Sequence, residues 1–182
     1  MICVCKLPRC LDAVDWSAFS FGRRILILGC PGAGKSALSD ELGRVLELPI
    51  FRMDDLYWLS DWRRPRLQDF HSSVEDVLSK ECWILDGNYA DMLEARLRRA
   101  DTVVFVDRPT VVCLYRIAVR GLKRRLGDKS SLPERVRITH VSSRLDARLA
   151  LKVLRFRSQV LPPMKRSLEE FARDRSVYWL RG

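Results

Sequence analysis

The chain predicts an α/β fold: one parallel sheet sandwiched between helical layers. Three observations carry that expectation. Short runs such as Ile25–Leu28, Trp83–Leu85 and Val103–Val106 are apolar throughout, as strands buried on both faces are. Segments with apolar residues at helical spacing follow them, so strands and helices alternate, which calls for parallel strands and right-handed crossovers. The first run passes directly into a glycine-rich turn and a helix start. At 182 residues, with 47% hydrophobic and 31% charged residues and no repeats, the chain reads as one domain over residues 23–182. Residues 1–22 read as an irregular, cysteine-rich extension without an assigned role.

The turn is the most informative stretch. Gly29 to Ser36 matches G-x-x-x-x-G-K-[ST], the phosphate-binding loop. Its glycines let successive backbone N–H groups converge on phosphate oxygens, and the following helix aims its positive end at the same anion. Lys35 is the candidate contact for the β- and γ-phosphates, and the Ser36 hydroxyl for Mg²⁺. Ile25–Leu28 supply the preceding strand; Leu38, Leu42, Val45 and Leu46 make the next helix amphipathic.

The remaining elements follow in order. Pro49–Asp54 reads as a short strand ending in an acid, at the carboxyl edge where open α/β sheets bind ligands. Asp54 is therefore a candidate acceptor ligand, while Asp55 serves equally as a helix cap. Leu56–Trp62 is aromatic and aperiodic, suited to wall a pocket or to pack a loop. Arg63, Arg64 and Arg66 follow, then a helix marked by Leu67, Phe70, Val74, Val77 and Leu78. Cys82–Gly87 is an apolar strand ending in Asp86, the second element that supports Mg²⁺ in such sites, with Asn88 and Tyr89 opening the next helix. Asp101–Asp107 is a fourth strand. After Arg108-Pro109 a helix places Val112, Tyr115, Val119, Leu122 and Leu126 on its apolar side and Arg116 with Arg120 on one face. Basic residues 120–125 and a loose 127–131 suit a cover over phosphates. A long helix is expected from Pro133 to Leu161, with Arg137, Arg144, Arg148 and Arg155 within about 40° of one another and Val141, Leu145, Leu149, Val153, Phe156 and Val160 on the core side. Pro162-Pro163 should stop it; Met164–Arg173 is a last helix and Ser176–Leu180 a closing strand.

The formal net charge of +10 suits either nucleic acid or an ATP-handling enzyme, and no RNA- or DNA-binding motif accompanies it. Of the six cysteines none forms a C-x-x-C, so neither a disulfide framework nor zinc is expected, and a reducing cytoplasm fits. No run approaches the roughly 18 apolar residues of a membrane span. The expected state is a monomer or weak dimer.

These residues together resemble the adenylate kinase-like P-loop kinases, and within them the bacterial group known as DNA topology modulation proteins. The resemblance rests on Gly29–Ser36, Met53-Asp54-Asp55-Leu56-Tyr57-Trp58, Trp83-Ile84-Leu85-Asp86-Gly87-Asn88-Tyr89, Val106-Asp107-Arg108-Pro109 and Leu154-Arg155-Phe156. It implies a three-layer sandwich of five parallel strands in order 2-3-1-4-5, an acceptor-binding segment at about 55–80 and a short lid at about 121–145. It also implies ATP and Mg²⁺ as cofactors. Gly29, Pro31, Gly32, Ala33, Gly34, Lys35, Ser36 and Ala37 would hold ATP, with Arg116 against the base and Arg120 near the phosphates. Ser36 and Asp86 would serve the metal. Asp54, Tyr57, Asp86, Gly87, Asn88 and Tyr89 would face the acceptor. Asn88-Tyr89 replaces the Phe-Pro-Arg segment that grips AMP in adenylate kinases, and Asp54 sits where shikimate- and gluconate-type kinases place an acceptor-binding acid.

Three functions are compatible with these residues. One is phosphotransfer to a small-molecule or nucleotide acceptor, with Lys35, Arg116, Arg120 and Asp54 as catalytic residues and Arg144 or Arg148 assisting. The second is a nucleotide-binding regulator acting on DNA or a protein. The third is a plain ATPase.

Overall fold

The structure is a computed structural model that describes residues 2–6, 14–128, 132–133 and 144–182. Six parallel strands form one sheet: β1 (Ile2–Lys6), β2 (Arg24–Gly29), β3 (Ile50–Arg52), β4 (Trp83–Asp86), β5 (Thr102–Asp107) and β6 (Ser176–Arg181). Their order is β1-β6-β5-β2-β4-β3. The expectation of five strands is thereby corrected, and the order of the whole sheet differs from the expected one. The difference is the added edge strand; from β2 onward the neighbours run β3-β4-β2-β5-β6. Residues 2–6 were hidden in sequence because cysteines alternate with Ile2 and Val4 and no turn residue marks the segment. They pair in register with β6, Ile2 beside Val177 and Lys6 beside Arg181. Behind them Trp16, Phe19, Phe21 and Tyr178 form an aromatic cluster, and the Tyr178 hydroxyl donates to the Ser20 carbonyl at 3.1 Å.

Seven α-helices are described: α1 (Lys35–Leu46), α2 (Met53–Tyr57), α3 (Leu67–Leu78), α4 (Leu93–Arg99), α5 (Thr110–Arg125), α6 (Arg144–Arg155) and α7 (Leu161–Phe171). The core is continuous around β2, β4 and β5, whose Ile25–Leu28, Trp83–Leu85 and Val103–Val106 are almost wholly buried. Burial on both sheet faces explains why these strands lack polar alternation.

Several boundaries differ from expectation. Asp54 does not end a strand; β3 stops at Arg52 and Asp54 lies in the first turn of α2. Asn88 and Tyr89 do not open a helix, because α4 starts only at Leu93, after Met92 takes a left-handed turn at φ 62°. On α5 the core face is Cys113, Ile117 and Gly121, while Tyr115, Leu122 and Leu126 are exposed. Cys113 lies against the phosphate loop, its carbonyl 2.6 Å from where a Cβ on Gly32 would fall, a closeness that hydrophobicity counting alone does not reveal. The long helix ends at Arg155, passes through a π turn over Phe156–Val160 and continues as α7. Pro162 and Pro163 thus occupy a first helical turn instead of ending a helix, a place where a missing N–H costs little. Arg137 and Val141 lie outside the described residues, as do 129–131 and 134–143 of the expected lid.

Candidate active site

The sheet register brings the functional segments to one edge. Asp86 lies beside Ile27 on one side and Arg52 on the other, and Gly29 lies beside Val106. The loops after β2, β3 and β4 therefore leave the sheet together, carrying the phosphate-loop residues, Asp54 and Gly87–Tyr89.

The loop between β2 and α1 is shaped for an anion. Gly34, the N-cap of α1, is left-handed at φ 102° and offers no side-chain cap, so the first-turn N–H groups of the helix are left for a ligand. A Cβ at Gly34 would come within 2.9 Å of the Arg116 guanidinium, which donates to the Ala33 carbonyl at 2.9 Å. Arg116 therefore touches the loop itself. The Lys35 ammonium folds back across the loop and donates to the carbonyls of Gly29 (3.0 Å) and Cys30 (3.2 Å). Pro31 and Gly32 are half-buried, Ala33 is buried, and Ser36 and Ala37 are exposed at the helix start.

Ser36 Oγ donates to Asp86 Oδ2 at 2.8 Å. Asp86 is only 6% exposed, and burial pushes its carboxyl above the usual range, opposed by Lys35 and the Ser36 hydrogen bond. Among the described residues no group of three or more His, Cys, Asp or Glu could hold a metal unaided. The Ser36 hydroxyl and the Asp86 carboxyl are oxygen donors of the kind that Mg²⁺ takes.

Asn88 continues the β2–β4 ladder with its side chain. Gly87 N–H donates to the Ile27 carbonyl at 3.2 Å; next, Asn88 Oδ1 accepts from Gly29 N–H at 3.0 Å and Asn88 Nδ2 donates to the Gly29 carbonyl at 2.7 Å. Gly87 is required by close packing, since a Cβ there would meet that of Met53 at 2.6 Å. Tyr89 OH donates to Asp54 Oδ1 at 2.5 Å. Burial, then the charge of Asp54, keeps this phenol protonated, which suits it as the donor.

The side of the edge that carries Asp54 and Tyr89 is walled by aromatics. Tyr57 packs against Trp58, Phe70 and Tyr89 with ring centroids 4.6–5.2 Å apart, and Arg64 lies over both Tyr57 and Trp58. Arg120 is half-buried, and burial lowers its pKa from the ordinary arginine value while the charge of Asp54 opposes that. Its Nε has no hydrogen-bond partner among the described residues. The structure thus gathers Lys35, Ser36, Asp54, Tyr57, Asp86, Asn88, Tyr89, Arg116 and Arg120 at one edge. Arg148, Lys152 and Arg155 are exposed on α6, and the side chain of Arg144 lies outside what is described.

Sequence reasoning missed Arg96 and Arg157. Arg157 Nη2 donates to Asp107 Oδ1 at 2.7 Å, and Trp179 Nε1 donates to Asp107 Oδ2 at 3.1 Å. Arg96 is fully buried and donates to the carbonyls of Gly87 (2.7 Å), Asn88 (3.0 Å) and Tyr89. A signal was present: Arg96 shares the core face of Leu93, Leu97 and Ala100 at helical spacing, where an arginine is out of place unless it has buried partners.

Neither a protein-family model nor a curated protein sequence matches the chain. Among solved structures it is similar to shikimate kinase from Bacteroides thetaiotaomicron, at 16% identity over 85% of this chain and 83% of that one, with a TM-score of 0.44.

Proposed function

We propose that the chain is an ATP-dependent phosphotransferase whose acceptor presents a hydroxyl to Asp54. The observation that carries this reading is the juxtaposition of two acids with separate partners. Asp86 is tied to Ser36 of the phosphate loop and Asp54 to Tyr89 of the aromatic wall, while the strand that leads into Asp54 pairs with Asp86 at Arg52. A plain ATPase has no use for the second acid and its wall.

In this reading Lys35 leaves the loop carbonyls for the β- and γ-phosphates, and the amides at the start of α1 hold their oxygens. Mg²⁺, when bound, would neutralise charge on the β- and γ-phosphates. Ser36 would ligate it and Asp86 would orient its water. Arg116 fixes the loop beside the nucleotide, and Arg120 faces the transferring group. Asp54, aligned by Tyr89, orients the acceptor hydroxyl and takes its proton. Positioning and electrostatics supply the rate.

The test is ADP release from Mg·ATP in a screen of nucleosides, nucleoside monophosphates, sugars and hydroxy acids. Acceptor-dependent turnover, lost in Lys35→Ala, supports the proposal; ADP release indifferent to every acceptor supports a plain ATPase.

A second reading, a nucleotide-binding regulator of DNA, draws on the net charge of +10 and on the exposed Arg148, Lys152 and Arg155 of α6. Kinship with the topology modulation group rests on the motif residues alone. DNA affinity that falls steeply with salt, without acceptor stimulation, would favour it.

A further inference from the structure

We infer that Arg96 is a positioning residue that holds the nucleotide half and the acceptor half of the site in one geometry. The inference rests on the phosphotransfer reading for its functional meaning, though its structural core does not.

Among the described residues no hydrogen bond joins Arg96 to the phosphate loop or to Asp54. It acts on the segment between them. Nη1 donates to the Gly87 carbonyl, and Nη2 to those of Asn88 and Tyr89, while Nε donates to the Met92 carbonyl at 3.3 Å. Three successive carbonyls of an irregular turn thus converge on one planar fork. Each downstream side chain has a separate task. Asn88 makes two hydrogen bonds to Gly29, the first residue of the phosphate loop, and Tyr89 donates to Asp54. Rotation of the 87–89 backbone would break both sets at once.

The placement is costly and therefore specific. A guanidinium removed from water must have its donors satisfied. Here the partners are carbonyls of the very turn that carries the site, and α4 holds the arginine at 0% exposure. Burial lowers its pKa to about 10, so it remains a cation at neutral pH and its hydrogen bonds stay charge-assisted. Lysine cannot reproduce the fork, since an ammonium offers a point charge instead of a planar array.

The test compares wild type with Arg96→Lys and Arg96→Gln, first without nucleotide. Amide hydrogen exchange should speed up by about tenfold or more in peptides covering 87–92 and 29–34, and stay unchanged in β5 and β6. Uniform acceleration, no acceleration, or failure of both variants to fold would assign Arg96 to core stability and overturn the inference. A second arm measures Mg·ATP affinity in a double-mutant cycle with Asn88→Ala. Arg96→Lys should weaken binding by about tenfold in the wild-type background and by less than about twofold in Asn88→Ala, because the effect runs through Asn88. Full additivity would contradict this. If wild type binds no Mg·ATP, the phosphotransfer reading fails, and the exchange arm still decides the role of Arg96.

Discussion

The two halves of the candidate site are built on different principles. The half proposed for the nucleotide is contiguous: residues 29–37 supply a loop, a helix terminus, a lysine and a hydroxyl. The half proposed for the acceptor is assembled from separate segments, Asp54 and Tyr57 from α2, Asn88 and Tyr89 from the β4–α4 turn, and Arg120 from α5. It is held by side-chain hydrogen bonds and ring packing. A contiguous site feels distant change only through the segments bonded to it, as Gly29 is to Asn88; a discontinuous one depends throughout on whatever fixes its parts relative to each other. That dependence is where Arg96 enters.

The contrast gives a ranked set of tests. Removing the ammonium should hurt most: Lys35→Ala is expected to lower turnover by about a thousandfold or more with little change in Tm, read by ADP release and thermal melting. On the acceptor side Asp54→Asn should lower kcat/KM for the acceptor by about a hundredfold while Mg·ATP affinity holds, since orientation and proton removal are lost but the loop is untouched. A fall in nucleotide affinity of similar size would dissolve the distinction between the halves.

Asp86→Asn sharpens the comparison differently. The carboxyl of Asp86 is raised by burial, so its ionisation opposes folding, and stability falls as pH rises from the unfolded value through the folded one. Asparagine removes that cost and can still accept from Ser36. Tm at neutral pH should rise by about 2–4 °C, for a gain of roughly 1 kcal/mol, while turnover at low Mg²⁺ falls by about tenfold. A loss of stability would contradict the account of this buried acid.

The smallest effect belongs to a pair remote from the site. Asp101 accepts from Arg24 Nη2 at 2.7 Å, which holds its carboxyl below the usual range. The pair stabilises the fold above about pH 4 and loses that contribution as pH falls through the folded value. Both side chains are about a third exposed. Asp101→Asn should therefore cost only about 0.5–1 kcal/mol, read as a Tm difference from wild type that vanishes in acid.

What could be read from sequence follows the same division. The strands Arg24–Gly29, Trp83–Asp86 and Thr102–Asp107 were legible because full burial writes continuous apolar runs, and Gly29–Ser36 because its chemistry is local. Ile2–Lys6 was not, because its strand character comes from pairing with Ser176–Arg181 at the far end of the chain. Asp54, Asn88 and Tyr89 were found as candidates, but not their partners: the bonds Asn88–Gly29 and Tyr89–Asp54 span 59 and 35 residues. The apolar face of α5 differs from expectation because its buried side is Cys113, Ile117 and Gly121, two of them small and unremarkable as letters. Arg157 escaped notice because it lies about 200° from Arg155 on a regular helix, off the arginine stripe, and its partner Asp107 is 50 residues away in the chain.

The central claim is that a main-chain cage with Lys35 binds a triphosphate independently of an acid-bearing acceptor wall. Calorimetric titration of Mg·ATP into wild type, Lys35→Ala and Asp54→Asn tests it most directly. The account predicts binding in wild type, its loss in Lys35→Ala and its retention in Asp54→Asn; no binding in wild type, or equal loss in both variants, would contradict it.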